Sequence, residues 1–386
     1  MKKLTAFSAL SAAAIAIPCQ GDVAPTDKTF SYRYTHYQEA DSPRERTFTT
    51  ETGRYQIDVS QFGYRTPVGD SWYVTSELQY ETMSGASPTQ TYKNADGKST
   101  LIMSGASIEE NRIDIKVAPK KYFSEGTAGG LLAVSKENDY QSVAFGLDGT
   151  LNILDKQTTL VGSFSVSNDE LSPTDADLSV ARSEADGRKK RSFSLYEGIS
   201  QVIDKYRTLQ AGIGFTQLTG YLSDPYKFED RRPESRDQIT FSVQYKQYAN
   251  VLDGAALHSN YRYYYDDWGI ASHTIDLKWA QSLNLGKFRL IASPLLRYYS
   301  QEKADFYSLQ QTPAAGELNS SDYRLSSYGA FTMGFTSELK FQQWALHFDW
   351  QQYISNESLA LFGGDDDETP GLVNFSTVTA GIDYKF

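Results

Sequence analysis

The sequence predicts an all-β chain: a transmembrane antiparallel up-and-down β-barrel of about sixteen strands behind a cleaved export signal. Three observations carry that expectation. Apolar and polar side chains alternate along most of the 386 residues, with a period of two rather than 3.6. The connections between alternating runs sort by parity into a short set and a long set. The chain closes on TAGIDYKF, where Val378, Ala380, Ile382, Tyr384 and Phe386 would share one face, an order for which the fraying end of a soluble domain has no use. In hydrocarbon a backbone N–H or C=O finds no partner, so a spanning sheet has to close on itself. Its outside then meets lipid and its inside water, which writes period two into every strand.

Residues 1–21 carry two lysines, a small-residue and apolar stretch from Leu4 to Ile17, then Pro18 and small residues. That is the pattern of a secretory signal peptide, and its apolar part is too short to span a bilayer as a helix. Cleavage after Gly21 fits, with cleavage after Ala16 as the rival. Cys19 is the only cysteine; a lipoprotein site there is disfavoured, because Ile17 and Pro18 are not small. Removing the signal leaves residues 22–386 without a thiol. That excludes disulfides, thiolate metal sites and cysteine nucleophiles, and it suits an oxidising envelope compartment.

The mature chain has no Pro/Gly/Ser linker and no shift in composition, so it reads as one domain. A formal charge of -11 argues against nucleic acid as a partner. The 27 Tyr and 20 Phe suit a barrel, since amphipathic rings settle at the two membrane interfaces. The alternating runs fall near 29–38, 53–64, 71–83, 111–121, 127–136, 139–150, 156–168, 191–202, 205–222, 236–249, 254–267, 271–285, 287–301, 322–340, 342–355 and 373–386. Many reach the roughly ten residues that a tilted strand needs to cross a membrane. If the first strand leaves the periplasm, the connections near 65–70, 122–126, 151–155, 203–204, 250–253, 286 and 341 face the periplasm, and all are short. The opposite set includes 39–52, 84–110, 169–190, 223–235, 302–321 and 356–372, mostly long, polar and acidic. Short periplasmic turns with long outer loops are the habit of outer-membrane barrels.

The terminal strand adds a partner. Thr379, Gly381, Tyr384 and Phe386 match the order polar, any, Gly, any, any, apolar, any, terminal Phe. This resembles the C-terminal β-signal read by the bacterial outer-membrane assembly machinery, which would grasp the free edge of the last strand by β-augmentation. The implied partners are that machinery, periplasmic chaperones, membrane lipid and lipopolysaccharide, with a small solute if the lumen is open.

A set of longer motifs occupies much of the rest: KENDYQS (136–142), GYLSDPYK (220–227), RRPESR (231–236), NYRYYYDDWGIASHT (260–274), RYYSQEKADFY (297–307) and SSDYRLSSYGA (320–330). Together they resemble the bacterial family catalogued as domain of unknown function 3570, from about residue 100 to the C-terminus. The resemblance implies an outer-membrane barrel and supplies no activity.

Alternation within those motif strands turns Arg262, Asp266, Asp276, Arg297 and Arg324 toward the lumen, on four consecutive strands near the outer loops. One reading makes them an ionic constriction that selects a solute. The other makes them a salt-bridge network that fills and stiffens the lumen. Asp224, Arg231, Arg232 and Arg236 are expected in an ordinary solvated loop, with a fold into the mouth as the alternative. His36, His258, His273 and His347 lack a serine motif, and no GxSxG, HExxH or phosphate loop occurs. No enzyme activity and no cofactor are therefore expected. The run Asp365, Asp366, Asp367, Glu368 lacks the spaced ligands of a calcium loop. The function expected is a porin-like channel for small solutes. The alternatives are a plugged barrel serving as a scaffold or partner-binding protein in an envelope assembly and, third, an outer-membrane hydrolase.

Overall fold

A computed structural model of the chain describes residues 23–50, 52–104, 110–361 and 369–386. The proposed signal peptide 1–21 and the acidic run 365–368 lie outside the described residues.

Sixteen strands close into one antiparallel ring. In chain order they are β1 (Thr29–Glu39), β2 (Gln56–Val68), β3 (Trp72–Ser84), β6 (Glu110–Phe123), β7 (Gly126–Lys136), β8 (Tyr140–Ile153), β9 (Thr158–Leu171), β10 (Lys189–Asp204), β11 (Arg207–Gly220), β12 (Ser235–Ala249), β13 (Ala255–Asp266), β14 (Ala271–Leu285), β15 (Phe288–Gln301), β16 (Tyr328–Phe341), β17 (Trp344–Asn356) and β18 (Phe375–Lys385). Each pairs with its sequence neighbour in the ring, and β1 pairs with β18 from Thr29–Lys385 to Glu39–Phe375, so no edge is left open. Between β3 and β6 a separate hairpin, β4 (Pro88–Lys93) with β5 (Ser99–Met103), stands outside the ring. It occupies the stretch expected to be a plain loop. A six-residue helix, Val180–Ala185, lies in the connection between β9 and β10.

Alternation decides which face each side chain takes. Ile113, Ile115 and Val117 on β6, Val143, Phe145 and Leu147 on β8, and Ile275 and Leu277 on β14 are all exposed on the outside. Their neighbours Arg112, Asp114, Ser142 and Thr274 are buried within. An exposed apolar belt around a closed sheet is stable against acyl chains and would drive aggregation in water. Aromatic rings gather at one rim. Trp344 and Tyr384 lie 4.4 Å apart, Phe288 and Phe341 4.9 Å, and Tyr384 and Phe386 5.8 Å.

That rim carries seven turns of two to five residues, and both described chain ends lie beside it. The other rim carries the longer connections 40–55, 85–109, 172–188, 221–234, 302–327 and 357–374, together with the short 137–139 and 267–270. One strand boundary needs correction. The run placed at 322–340 begins at Tyr328, because residues 323–325 form a 3-10 turn capped by Asp322, whose side chain accepts from the Arg324 backbone N–H. Arg324 is therefore on no strand.

Candidate functional site: a lumen closed at one mouth

The long connections fold inward and meet. The β4–β5 hairpin reaches residues 221–234 through Phe228 N–H to Thr89 O at 2.9 Å and Lys227 Nζ to Pro88 O at 2.8 Å. It reaches 302–327 through Thr91 N–H to Ser321 Oγ at 3.0 Å and Lys93 N–H to Leu309 O at 3.1 Å. The two long connections exchange backbone bonds in turn, Arg231 N–H to Asn319 O at 2.7 Å and Asn319 N–H to Arg231 O at 2.9 Å. Their roots in the ring, β3/β6, β11/β12 and β15/β16, stand six, four and six strands apart. Three loops rooted that far apart can touch only by crossing the mouth.

The meeting point is buried. Leu222, Trp268, Ile270, Ala304, Tyr307, Leu309 and Leu325 form an apolar cluster. Beside it, Leu101 is fully buried, and Tyr323 lies under Arg54 and Lys227, whose charges stand 5.4 and 6.0 Å from its ring. Arg54 also binds Glu39 at 2.8 Å and Gly371 O at 3.1 Å, tying in the first and last connections.

At the centre sit three acids and three bases. Arg232 binds Asp230 at 2.8 Å and Asp322 at 2.9 Å. Arg324 chelates Asp322, with Nε 2.9 Å from both oxygens, and reaches Asp224 at 3.4 Å. Lys227 stands 4.0 Å from Asp322. Burial alone would raise the Asp322 carboxyl, but Arg324, Lys227 and Arg232 outweigh it and hold it well below the usual carboxylate range. Burial lowers the Lys227 ammonium despite Asp322 and Asp224. Isolated, any one of these charges would cost several kcal/mol to bury; matched three against three, they can stay ionised out of water.

The expected lumen residues divide among three settings. Asp266 closes the β13–β14 turn: its Oδ1 accepts from the backbone of Trp268 and Ile270 at 3.0 Å each, and its Oδ2 takes Arg236 Nε at 2.8 Å and the Tyr264 hydroxyl at 2.6 Å. Asp276 and Arg297 are direct register partners and ion-paired lower in the barrel. Arg262 faces Ser242 and Thr274 on the inner wall. Arg324 belongs to the plug. They do not form one ring. The expectation of a solvated loop for SDPYK and RRPESR is also overturned, since Asp224, Lys227 and Arg232 are buried. Sequence reasoning missed Lys227, Asp230 and Asp322. One signal was present: Asp224–Lys227, Asp230–Arg232 and Asp322–Arg324 each place an acid two or three residues before a base.

Below the plug the lumen is wetter. On β6, Arg112 near the mouth has a 7% exposed side chain, whereas Lys120 further down is 29% exposed and pairs with Asp148 at 3.0 Å. A cavity of about 190 Å³ lies against β1, β2, β3 and β6, with Arg33, Arg65, Glu77, Asp114 and Lys116 in its wall. Among the described residues, no connection crosses the lumen at the short-turn rim. Near the plug, Glu110, Glu137 and Asp139 bring one oxygen each within 4.8 Å of one another. Of the three, Glu137 lies 3.4 Å from Arg112, and Asp139 accepts from the Tyr226 hydroxyl at 2.9 Å.

The residues of the expected assembly signal lie in the closing seam. Arg33 on β1 crosses over Gly381 to reach Asp383 at 2.7 Å and also donates to Ile382 O at 3.1 Å. A Cβ on Gly381 would stand 2.1 Å from Arg33 Cδ, so the seam requires glycine while Arg33 lies there. Tyr384 packs against Trp344 with the rings tilted by 39°, and Phe386 exchanges backbone bonds with Lys28.

These features define a closed outer-membrane type β-barrel with an internal plug. The chain belongs to the family described as protein of unknown function (DUF3570), whose model matches residues 7–366; the match therefore takes in the N-terminal hundred residues as well. Every motif that carried the resemblance sits at the long-loop rim or in the plug. No curated protein matches the sequence. Among solved structures, a bacterial polysaccharide outer membrane secretin is 9% identical with a TM-score of 0.51, over 92% of this chain and 98% of that one. CdiB from Acinetobacter baumannii is 9% identical with a TM-score of 0.49, over 94% and 61%. OccD3 (OpdP) from Pseudomonas aeruginosa is 8% identical with a TM-score of 0.42, over 97% and 96%. At such identity, the likeness to the secretin establishes the fold alone.

Proposed function

We propose that this chain is exported to the bacterial outer membrane and works there as a gated, porin-like channel for small solutes, closed at rest. The observation that carries this is the plug, in which loops from three distant parts of the ring interlock across one mouth above a wet lumen. With short turns on the periplasmic side, the wet half becomes a vestibule open to the periplasm, and the plug is the outer gate. Planar-bilayer recording tests the reading. The intact protein should stay mostly silent, and Arg324→Ala, which leaves Asp322 and Asp224 short of a cation, should give frequent openings. A steady large conductance in the intact protein would remove the gate. Silence in both would favour the second reading, a permanently plugged scaffold or partner-binding barrel. The even match of charges in the plug speaks for that reading, because opening would strand them. We assign no enzyme activity; lipid or peptide hydrolysis abolished by His258→Ala would reverse that assignment. Membrane lipid, lipopolysaccharide, the assembly machinery and periplasmic chaperones are the partners that this reading requires.

A further inference from the structure

The inner wall is not evenly charged. Of six basic residues that β12–β15 turn inward, Arg236 and Arg297 are paired with the two acids of that wall, Asp266 and Asp276. Among the described residues, Lys246, Arg262, Lys278 and Arg289 have no acid paired with them. Three side chains of this wall also form a row: Lys246 stands opposite His258 in the β12–β13 register, and His258 opposite Lys278 in the β13–β14 register. Directly opposed residues leave a sheet about 5 Å apart on the same face. The row therefore places two ammonium groups on either side of one imidazole, within reach of a single small ligand.

The row is unspent. Among the described residues, Lys246, His258 and Lys278 make no side-chain hydrogen bond or ion pair. Elsewhere in the lumen, Arg112, Lys120, Lys190 and Arg33 each hold a carboxylate, and Lys116 stands opposite Glu77 in the β3–β6 register. Like charges set side by side repel, so a folded barrel keeps such a row at least expense when something anionic lies on it. The row is in the short-turn half, below the plug.

We propose that Lys246, His258 and Lys278 form an anion site in the vestibule, fit for a small oxyanion of the phosphate class. Lysine is a compact point charge with three donors, suited to a tetrahedral oxyanion. The proposal rests on the vestibule of the functional reading being open to the periplasm, and it names the class of solute that would enter.

The test is calorimetric titration of the folded protein, in a sugar-headgroup detergent, with inorganic phosphate against a chloride background of equal ionic strength. Saturable binding is expected, weakened at least tenfold in the double variant Lys246→Gln/Lys278→Gln and left unchanged in Lys120→Gln. Heat-modifiable gel migration confirms that each variant is folded. If the double variant fails to fold, His258→Gln alone should still weaken binding severalfold. No phosphate binding, binding that equal chloride reproduces, or binding indifferent to these substitutions would overturn the site. Phosphate can bind in detergent whether or not the plug opens. A silent bilayer therefore bears on the channel alone, and absent binding bears on this site alone.

Discussion

The two halves of the lumen solve the problem of enclosed charge in opposite ways. Near the long-loop rim, acids and bases are matched and dry: Asp322 is fully buried among Arg324, Arg232 and Lys227. In the lower half the pairs are wet, with Arg297 45% exposed beside Asp276, and one wall keeps cations that no acid answers. A dry pair broken on one side costs several kcal/mol, because the survivor stays buried, whereas a wet pair is worth about 1 kcal/mol or less. The same residue types therefore do different things. Above they fasten loops, and below they face whatever fills the vestibule.

The sharpest way to break this comparison is Asp322→Ala. It leaves three cations short of their shared acid and should cost the plug about 3–5 kcal/mol while the ring stays closed. Proteolysis of the loops should accelerate strongly, and bilayer recordings should show bursts. Next comes acidity. Asp322 has a folded pKa below its unfolded one, so its contribution is complete above the unfolded value of about 4 and is lost as the pH falls through the folded value. The plug should hold from neutrality down to about pH 4 and loosen only in stronger acid, read by loop proteolysis across a pH series. A third substitution sharpens the contrast by doing little: Arg297→Ala should shift ion preference in conducting variants with almost no change in loop protection. If Arg297→Ala opens the plug as readily as Arg324→Ala, the two halves are not independent. The smallest effect belongs to Lys120→Gln, which breaks a half-exposed pair and should cost less than about 1 kcal/mol in thermal stability.

The wall was legible in the sequence and the plug was not, for one physical reason. Each strand states its own face locally, as Ile113, Ile115 and Val117 do against Arg112, Asp114 and Lys116. Ring closure then fixes every neighbour, so about sixteen runs led to sixteen strands. The plug is built from contacts between residues about a hundred positions apart, such as Arg324 with Asp224, or ninety, such as Arg232 with Asp322. No local period encodes them. SSDYRLSSYGA shows how a strand pattern misleads: Tyr323 and Leu325 alternate with Arg324 as a strand would, yet both are buried against other loops and not against lipid. The β4–β5 hairpin was missed because its strands are only six and five residues long and PTQTYK and STLIM carry no alternation of apolar and polar residues.

The Arg33–Gly381 contact has a consequence for biogenesis. A position inside the segment proposed to dock with the insertion machinery is also fixed by packing in the finished seam, so changing Gly381 alone confounds recognition with fit. Shortening Arg33 as residue 381 gains a Cβ, as in Arg33→Ser with Gly381→Ala, removes the clash with the arginine side chain and leaves only Tyr32 O, 2.9 Å away, to give way. Insertion efficiency in that pair then separates what the machinery reads from what the mature wall requires.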